Sequence, residues 1–105
     1  MSFDSELTKA INSKRNIRES SLKAYISNLN KLLSMNDDEK NIDNLNSLLK
    51  DPKKVIELLN ERKNSTIRNY LASIVVYVNT LDDEKLLKEY RELMEEYGKE
   101  YVNHL

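Results

Sequence analysis

Residues 64–81, NSTIRNYLASIVVYVNTL, decide the fold. The spacing of their apolar side chains predicts one amphipathic helix with a buried face. Residues 74–78 are rich in β-branched side chains, as a strand would be, but the helical pattern continues on both sides and no turn residues bound them. Because apolar residues fall on several faces, we expect this helix to be central and surrounded by the others. The residues that make the pattern are Ile67, Tyr70, Leu71, Ile74, Val75, Val78 and Leu81.

The start of this helix is polar. Asn64 and Ser65 are favourable N-cap residues, and residues 66–69 add polar side chains to the first turn. The unpaired backbone N–H groups and the positive dipole end at such a terminus can receive a phosphate. A core helix that simply has a polar cap is the alternative, and helical spacing alone does not separate the two.

Composition favours a small all-α protein. A chain of 105 residues forms one domain. With one Gly and one Pro, it has few of the residues that form the tight turns between strands of a sheet. There is no cysteine and the only histidine is His104, so we expect no disulfide, no thiolate zinc site and no cofactor. No apolar run approaches the roughly 20 residues that span a bilayer, and the acidic start is unlike a signal peptide. These features predict an intracellular protein without a membrane partner.

Formal charge is unevenly distributed along the chain. Residues 1–81 hold thirteen Lys and Arg against ten Asp and Glu, which gives +3. Residues 82–105 hold four against eight, which gives −4. The sequence therefore predicts a mildly basic body followed by an acidic C-terminal helix.

Further helical patterns flank the central one and predict a single bundle of about five helices. They cover residues 3–11, residues 21–36, a short leucine-rich stretch at 45–49, residues 52–62 and residues 82–105. Asp51 and Pro52 are the N-cap and first-turn proline of the fourth pattern. The other predicted caps are Ser2 or Asp4, Ser20 and Ser21, and Thr80 or Asp82.

Residues 13–19, SKRNIRE, interrupt the pattern between the first two helices and are basic. Lys14, Arg15 and Arg18 stand there against Glu19. A solvated linker is the ordinary interpretation, because exposed Lys and Arg are common on any surface. A set of phosphate contacts is the functional interpretation.

Two segments, in order, carry a family resemblance. The first, SSLKAYISNLNKL from Ser20, has a serine shortly before Tyr25 and then spaced leucines. The second, DPKKVIELLNERKNSTIRNYLASIVVYVNTL from Asp51, leads through Ser65 and Thr66 into a hydrophobic helix. Over roughly residues 19–81 the chain resembles the core-binding domain of tyrosine recombinases and phage integrases, a SAM-like helical domain. The first and last helices lie outside this resemblance.

The resemblance implies a module of DNA recombination or integration that grips the phosphate backbone of duplex DNA. Residues 1–81 would form the core-binding domain, and residues 82–105 would pack on it or lead into a further portion. The family's catalytic residues belong to a second domain, and no Arg/His group accompanies any of the six tyrosines, so we expect no enzymatic activity. The predicted DNA contacts are Lys14, Arg15, Arg18, Lys23, Lys63, Ser65, Thr66, Arg68 and Asn69.

The acidic C-terminal helix leaves a second hypothesis open. Core-binding domains are usually clearly basic, and an acidic helix near the DNA surface would repel the duplex. Either that helix points away into a further portion, or the fold is kept as a protein-interaction or assembly module. In the second case Tyr97, Tyr101 and Val102 would dock a protein partner or a second copy of the chain.

Overall fold

Six α-helices and one 3₁₀ helix make up the regular structure. The computed structural model describes residues 2–14 and 16–103, with the backbone alone for residues 99–103. None of the described residues forms a strand, so the all-α prediction is confirmed, including the helical conformation of residues 74–78. The elements are α1 (Phe3–Asn12), α2 (Glu19–Met35), α3 (Ile42–Leu49), α4 (Pro52–Leu59), α5 (Asn64–Val78), the 3₁₀ helix (Asn79–Leu81) and α6 (Glu84–Asn103).

Helix α5 lies at the centre of the bundle, as its apolar pattern predicts. It contacts α1, α2 and α6. The one polar residue in its buried set is Ser73, whose hydroxyl donates to the carbonyl of Asn69 at 3.1 Å and accepts from the amide of Asn28 on α2 at 2.9 Å. Because both bonds are made, Ser73 is buried without an unsatisfied polar atom. The buried residues of α5 are Ile67, Tyr70, Leu71, Ser73, Ile74, Val76, Tyr77 and Val78.

Helix α6 runs back along α5 and completes the core. The 3₁₀ helix and Asp82, whose φ of 56° is left-handed, reverse the chain between them. Leu86 and Tyr90 are buried, while Leu93 and Tyr97 are half-buried against the same core. Near the far end of α6, Gly98 lies beside Arg68 of the first turns of α5. The two helices are therefore antiparallel.

Two tyrosines fasten the short helix α3 to this pair. The Tyr77 hydroxyl donates to the side-chain oxygen of Asn46, and the Tyr90 hydroxyl donates to the carbonyl of Leu49, each at 2.6 Å. Both phenols are buried, so these bonds satisfy groups that would otherwise be costly to remove from water. The leucine-rich stretch is thereby fixed against α5 and α6.

The helix caps agree with the sequence in part. Ser2 caps α1 and Asp51 caps α4, as predicted, each accepting from a backbone N–H three residues on. The predictions for α2, α5 and α6 were wrong. Helix α2 starts at Glu19, so Ser20 and Ser21 lie inside its first turn. Helix α5 starts at Asn64, so Asn64 and Ser65 lie inside the first turn of that helix. The N-cap residues are Arg18 for α2 and Lys63 for α5, and neither side chain forms a capping hydrogen bond.

For α6, neither Thr80 nor Asp82 is the cap. Asp83 takes that role, and its carboxylate accepts from the backbone N–H of Leu86 at 3.1 Å. Thr80 instead donates to the carbonyl of Tyr77 at 2.6 Å within the 3₁₀ turn. Asp82 is excluded as a cap because its left-handed backbone forms the reversal itself.

Candidate nucleic-acid interface

The residues predicted to contact DNA fall into two groups, and Lys14 of the first and Lys63 of the second lie at opposite ends of α5. Arg15 lies outside the described residues. The remaining members of the first group, Lys14, Arg18 and Lys23, belong to the α1–α2 connection and the start of α2. The second group occupies the position before α5 and its first turns: Lys63, Ser65, Thr66, Arg68 and Asn69.

Lys14 ties the first group to the reversal between α5 and α6. Its Nζ atom lies 2.9 Å from Oδ1 of Asp82. Arg18 is only four residues further on, and it occupies the N-cap position of α2. Lys23 sits one turn into α2 and forms a looser pair, 3.8 Å, with Glu19. All three side chains are exposed, as contacts to a large ligand require.

The second group lies beside the far end of α6. A Cβ atom added at Gly98 would lie 3.1 Å from Nε of Arg68, so this guanidinium packs directly over the glycine. Lys63, Ser65 and Asn69 are exposed and Thr66 is half-buried. Arg68 thus faces the last turns of α6, while Lys63, Ser65 and Asn69 are open to solvent.

The structure does not bring the two groups together. Asp82 follows the end of α5 and Lys63 precedes its start. The fifteen residues of α5 alone separate them by about 22 Å at the usual rise of a helix. The two groups would therefore have to contact different parts of a duplex, some six base pairs apart at about 3.4 Å per pair.

The electrostatic surroundings of the two groups differ. We call residues 13–23 with 82–91 the basic end, and residues 61–69 with 92–98 the mixed end. The described residues of the basic end hold six Lys and Arg against five Asp and Glu, which gives +1. The mixed end holds three against four, which gives −1. The acidic part of α6 therefore offsets the second group but not the first.

Two basic residues of α6 were missed by the sequence prediction. Lys88 and Arg91 are exposed and line a groove beside Asp82, the partner of Lys14. Their spacing from Glu84, one and two turns along, places them on one face of α6. This spacing can be read from the sequence. The prediction overlooked it because the charge of −4 over residues 82–105 described the whole helix as acidic.

The surface proposed for a protein partner is only partly described. Tyr97 is half-buried against the core. The side chains of Tyr101 and Val102 lie outside the described residues. Across the part of the chain whose side chains are described, Leu81 is the one large hydrophobic residue that is exposed, at 37%.

The tyrosines in the core are structural. Burial raises the pKa of the Tyr77 and Tyr90 phenols, and nearby carboxylates act in the same direction: Glu6 for Tyr77, and Asp51 and Glu89 for Tyr90. Both phenols therefore stay protonated at neutral pH and donate the hydrogen bonds that hold α3.

Residues 2–14 and 16–103 contain neither a metal-binding cluster nor a membrane-spanning helix. Within these residues no group of three or more His, Cys, Asp or Glu side chains is arranged to hold a metal ion. No helix in the same part of the chain is long and apolar enough to cross a bilayer.

Comparisons of the chain with protein-family models, with curated proteins and with solved structures find no match.

Proposed function

We propose that the protein is a non-catalytic module that binds duplex DNA through its phosphate backbone, with the basic end as the interface. The resemblance of residues 19–81 to a recombinase core-binding domain suggests this function. The observation that carries the choice of surface is the charge difference between the two ends, +1 against −1 over the described residues.

Local geometry at the basic end supports the proposal. Arg18 stands at the N-cap position of α2, its side chain is exposed, and no side chain caps the first backbone N–H groups of α2. Lys14 is held nearby by an exposed ion pair, and such pairs contribute about 0–1 kcal/mol. A phosphate can therefore compete with Asp82 for this lysine at little cost.

The mixed end is the weaker candidate for physical reasons. Glu92, Glu95 and Glu96 follow one another on α6 as it approaches Arg68. Glu95 stands one turn before Gly98, the residue beside Arg68, whereas Glu92 and Glu96 border a groove with Pro52 and Lys53 of α4. These carboxylates repel a phosphate at Arg68 through space, and at 0.15 M salt such repulsion extends over about 8 Å. Binding energy should accordingly depend little on Lys63 and Arg68.

The test compares two double variants that remove the same charge. Fluorescence anisotropy with a random 30-base-pair duplex is measured at about 50 and 200 mM salt. Because each phosphate contact contributes about 0.9 to the slope of log K against log salt, Lys14→Ala/Arg18→Ala should lower that slope by about two units. Lys63→Ala/Arg68→Ala should leave it nearly unchanged.

Two results would contradict the proposal. A larger slope change for Lys63→Ala/Arg68→Ala would move the interface to the mixed end. Absence of wild-type binding at 50 mM salt would exclude a backbone-binding function and would favour the protein-interaction hypothesis instead.

A further inference from the structure

A groove of about 520 Å³ lies at the reversal between α5 and α6. Val78 and Leu87 form apolar parts of its wall, and Lys88 and Arg91 of α6 line one side. Asp82, Asp83 and Glu84 also border it. The lining thus holds two basic and three acidic side chains. Apart from Val78 and Asn79, it belongs to the basic end and lies outside residues 19–81, the segment that resembles a recombinase domain.

The acidic residues of the groove already have local roles. Asp83 accepts the N–H of Leu86 as the cap of α6, and Glu84 occupies the first turn, where the helix dipole favours a negative charge. Asp82 is paired with Lys14. Neither ion pair found among the described side chains involves Lys88 or Arg91.

Lys88 and Arg91 are therefore the cations of the groove that are not offset by an ion pair within the described part of the chain. They stand about one helical turn apart on the same face, so both can approach one phosphate or two successive phosphates of a strand. An arginine fork and a lysine ammonium are the side chains that bind phosphate oxygens most strongly.

We propose that this groove is a second phosphate-binding subsite for the DNA backbone, formed by Lys88 and Arg91, and that Asp82 limits its affinity. This inference rests on the proposed function. A phosphate in the groove lies next to the Asp82 carboxylate, and it displaces that carboxylate from Lys14. Lys14 then joins the same phosphate contact.

The geometry makes this exchange feasible. The Lys14 and Asp82 side chains are 43% and 77% exposed, so water screens their attraction and the pair is easily opened. The left-handed backbone of Asp82 fixes the direction in which its side chain leaves the main chain. Removing that negative charge should free Lys14 and lower repulsion in the groove at once.

The first experiment removes the cations. Lys88→Ala/Arg91→Ala is compared with Lys53→Ala/Lys54→Ala, a matched loss of two exposed charges on α4, by anisotropy with the random 30-base-pair duplex. Two lost contacts lower the salt slope by about 1.8, so the ratio of Kd at 200 mM to Kd at 50 mM should shrink by about twelvefold. The α4 variant should change this ratio far less. Circular dichroism verifies that both variants keep their helical content.

The second experiment removes the Asp82 carboxylate, which competes with a DNA phosphate for Lys14. Asp82→Asn is compared with Asp37→Asn, because both aspartates have left-handed backbones and both substitutions add one unit of charge. Asp82→Asn should tighten binding several-fold at 50 mM salt, beyond any gain from Asp37→Asn. In a Lys14→Ala background this excess should shrink, because only the relief of repulsion in the groove remains.

The outcomes separate this inference from the function on which it rests. If wild type binds and Lys14→Ala/Arg18→Ala lowers the slope while the Lys88/Arg91 variant matches its α4 control, the subsite is refuted and the DNA-binding function stands. Equal effects of Asp82→Asn and Asp37→Asn refute the role of Asp82. No wild-type binding at 50 mM salt overturns both.

Discussion

The basic end and the mixed end lie on the same pair of helices, yet α6 affects them in opposite ways. Residues 84–91 bring three basic and two acidic side chains to the reversal, whereas residues 92–98 bring three acidic side chains and none that is basic. A net charge for the whole helix averages these halves and hides the contrast. The antiparallel packing of α5 and α6 decides which basic residues are offset by carboxylates.

The largest expected effect comes from reversing this contrast at the mixed end. Glu92→Gln/Glu95→Gln/Glu96→Gln changes the formal charge there from −1 to +2, which is above the +1 of the described residues of the basic end. We expect DNA affinity at 50 mM salt to rise by about tenfold, since a local positive field raises both association rate and backbone contacts. Anisotropy on the random duplex measures it.

A matched control and a follow-up variant sharpen this prediction. Glu39→Gln/Asp43→Asn/Glu57→Gln alters the same total charge on exposed positions outside α6 and should raise affinity much less. In the Glu→Gln background of α6, Lys63→Ala/Arg68→Ala should begin to weaken binding. An equal gain from both triple variants would mean that net charge, and not the position of α6, governs affinity.

The next effect concerns stability at the end of α2. Asp37 has a left-handed backbone, and the N–H groups of Asp38 and Asp37 donate to the carbonyls of Leu33 and Ser34. This is the Schellman arrangement, in which glycine is preferred at the left-handed position. Asp37→Gly should raise the free energy of unfolding by about 1 kcal/mol, measured by urea denaturation, and should change DNA affinity no more than Asp37→Asn does.

Asp82→Gly is the comparison at the basic end. Its backbone strain is relieved in the same way, but the ion pair with Lys14 is lost, so its gain in stability should be smaller. A gain for Asp82→Gly equal to that for Asp37→Gly would mean that the Lys14 pair contributes nothing to folding.

Much of the fold follows from the sequence because apolar spacing is a local signal. The stripe of α5 identified the central helix, and the Asp51-Pro52 pair located the start of α4. Caps were less predictable: Ser20 and Ser21 are favourable caps in isolation, but α2 begins one residue earlier and encloses them. Cap choice depends on where tertiary packing ends a helix, which spacing does not specify.

The candidate site was harder to predict, since it depends on which segments meet. Lys14 and Asp82 are 68 positions apart in sequence and in contact in the fold. Arg68 and Gly98 are likewise distant in sequence and adjacent in space. Of the nine residues predicted to bind DNA, the eight that the structure describes form two groups, and the length of α5 separates Lys14 of one from Lys63 of the other.

The smallest expected effect tests whether Arg68 matters at all. Gly98 lies inside α6, where alanine is favoured over glycine by about 0.5–1 kcal/mol. The new Cβ atom would lie 3.1 Å from Nε and 3.5 Å from Cδ of Arg68, and this exposed, flexible side chain can shift by the few tenths of an ångström required. Gly98→Ala should therefore stabilise the fold by about 0.5 kcal/mol, measured by urea denaturation. In an Arg68→Ala background, where nothing has to move, the gain should be at least as large.

DNA affinity should stay constant in both variants, because Arg68 belongs to the mixed end. A loss of affinity in Gly98→Ala, despite its greater stability, would show that the position of this guanidinium contributes to binding. That result would place the interface at the start of α5.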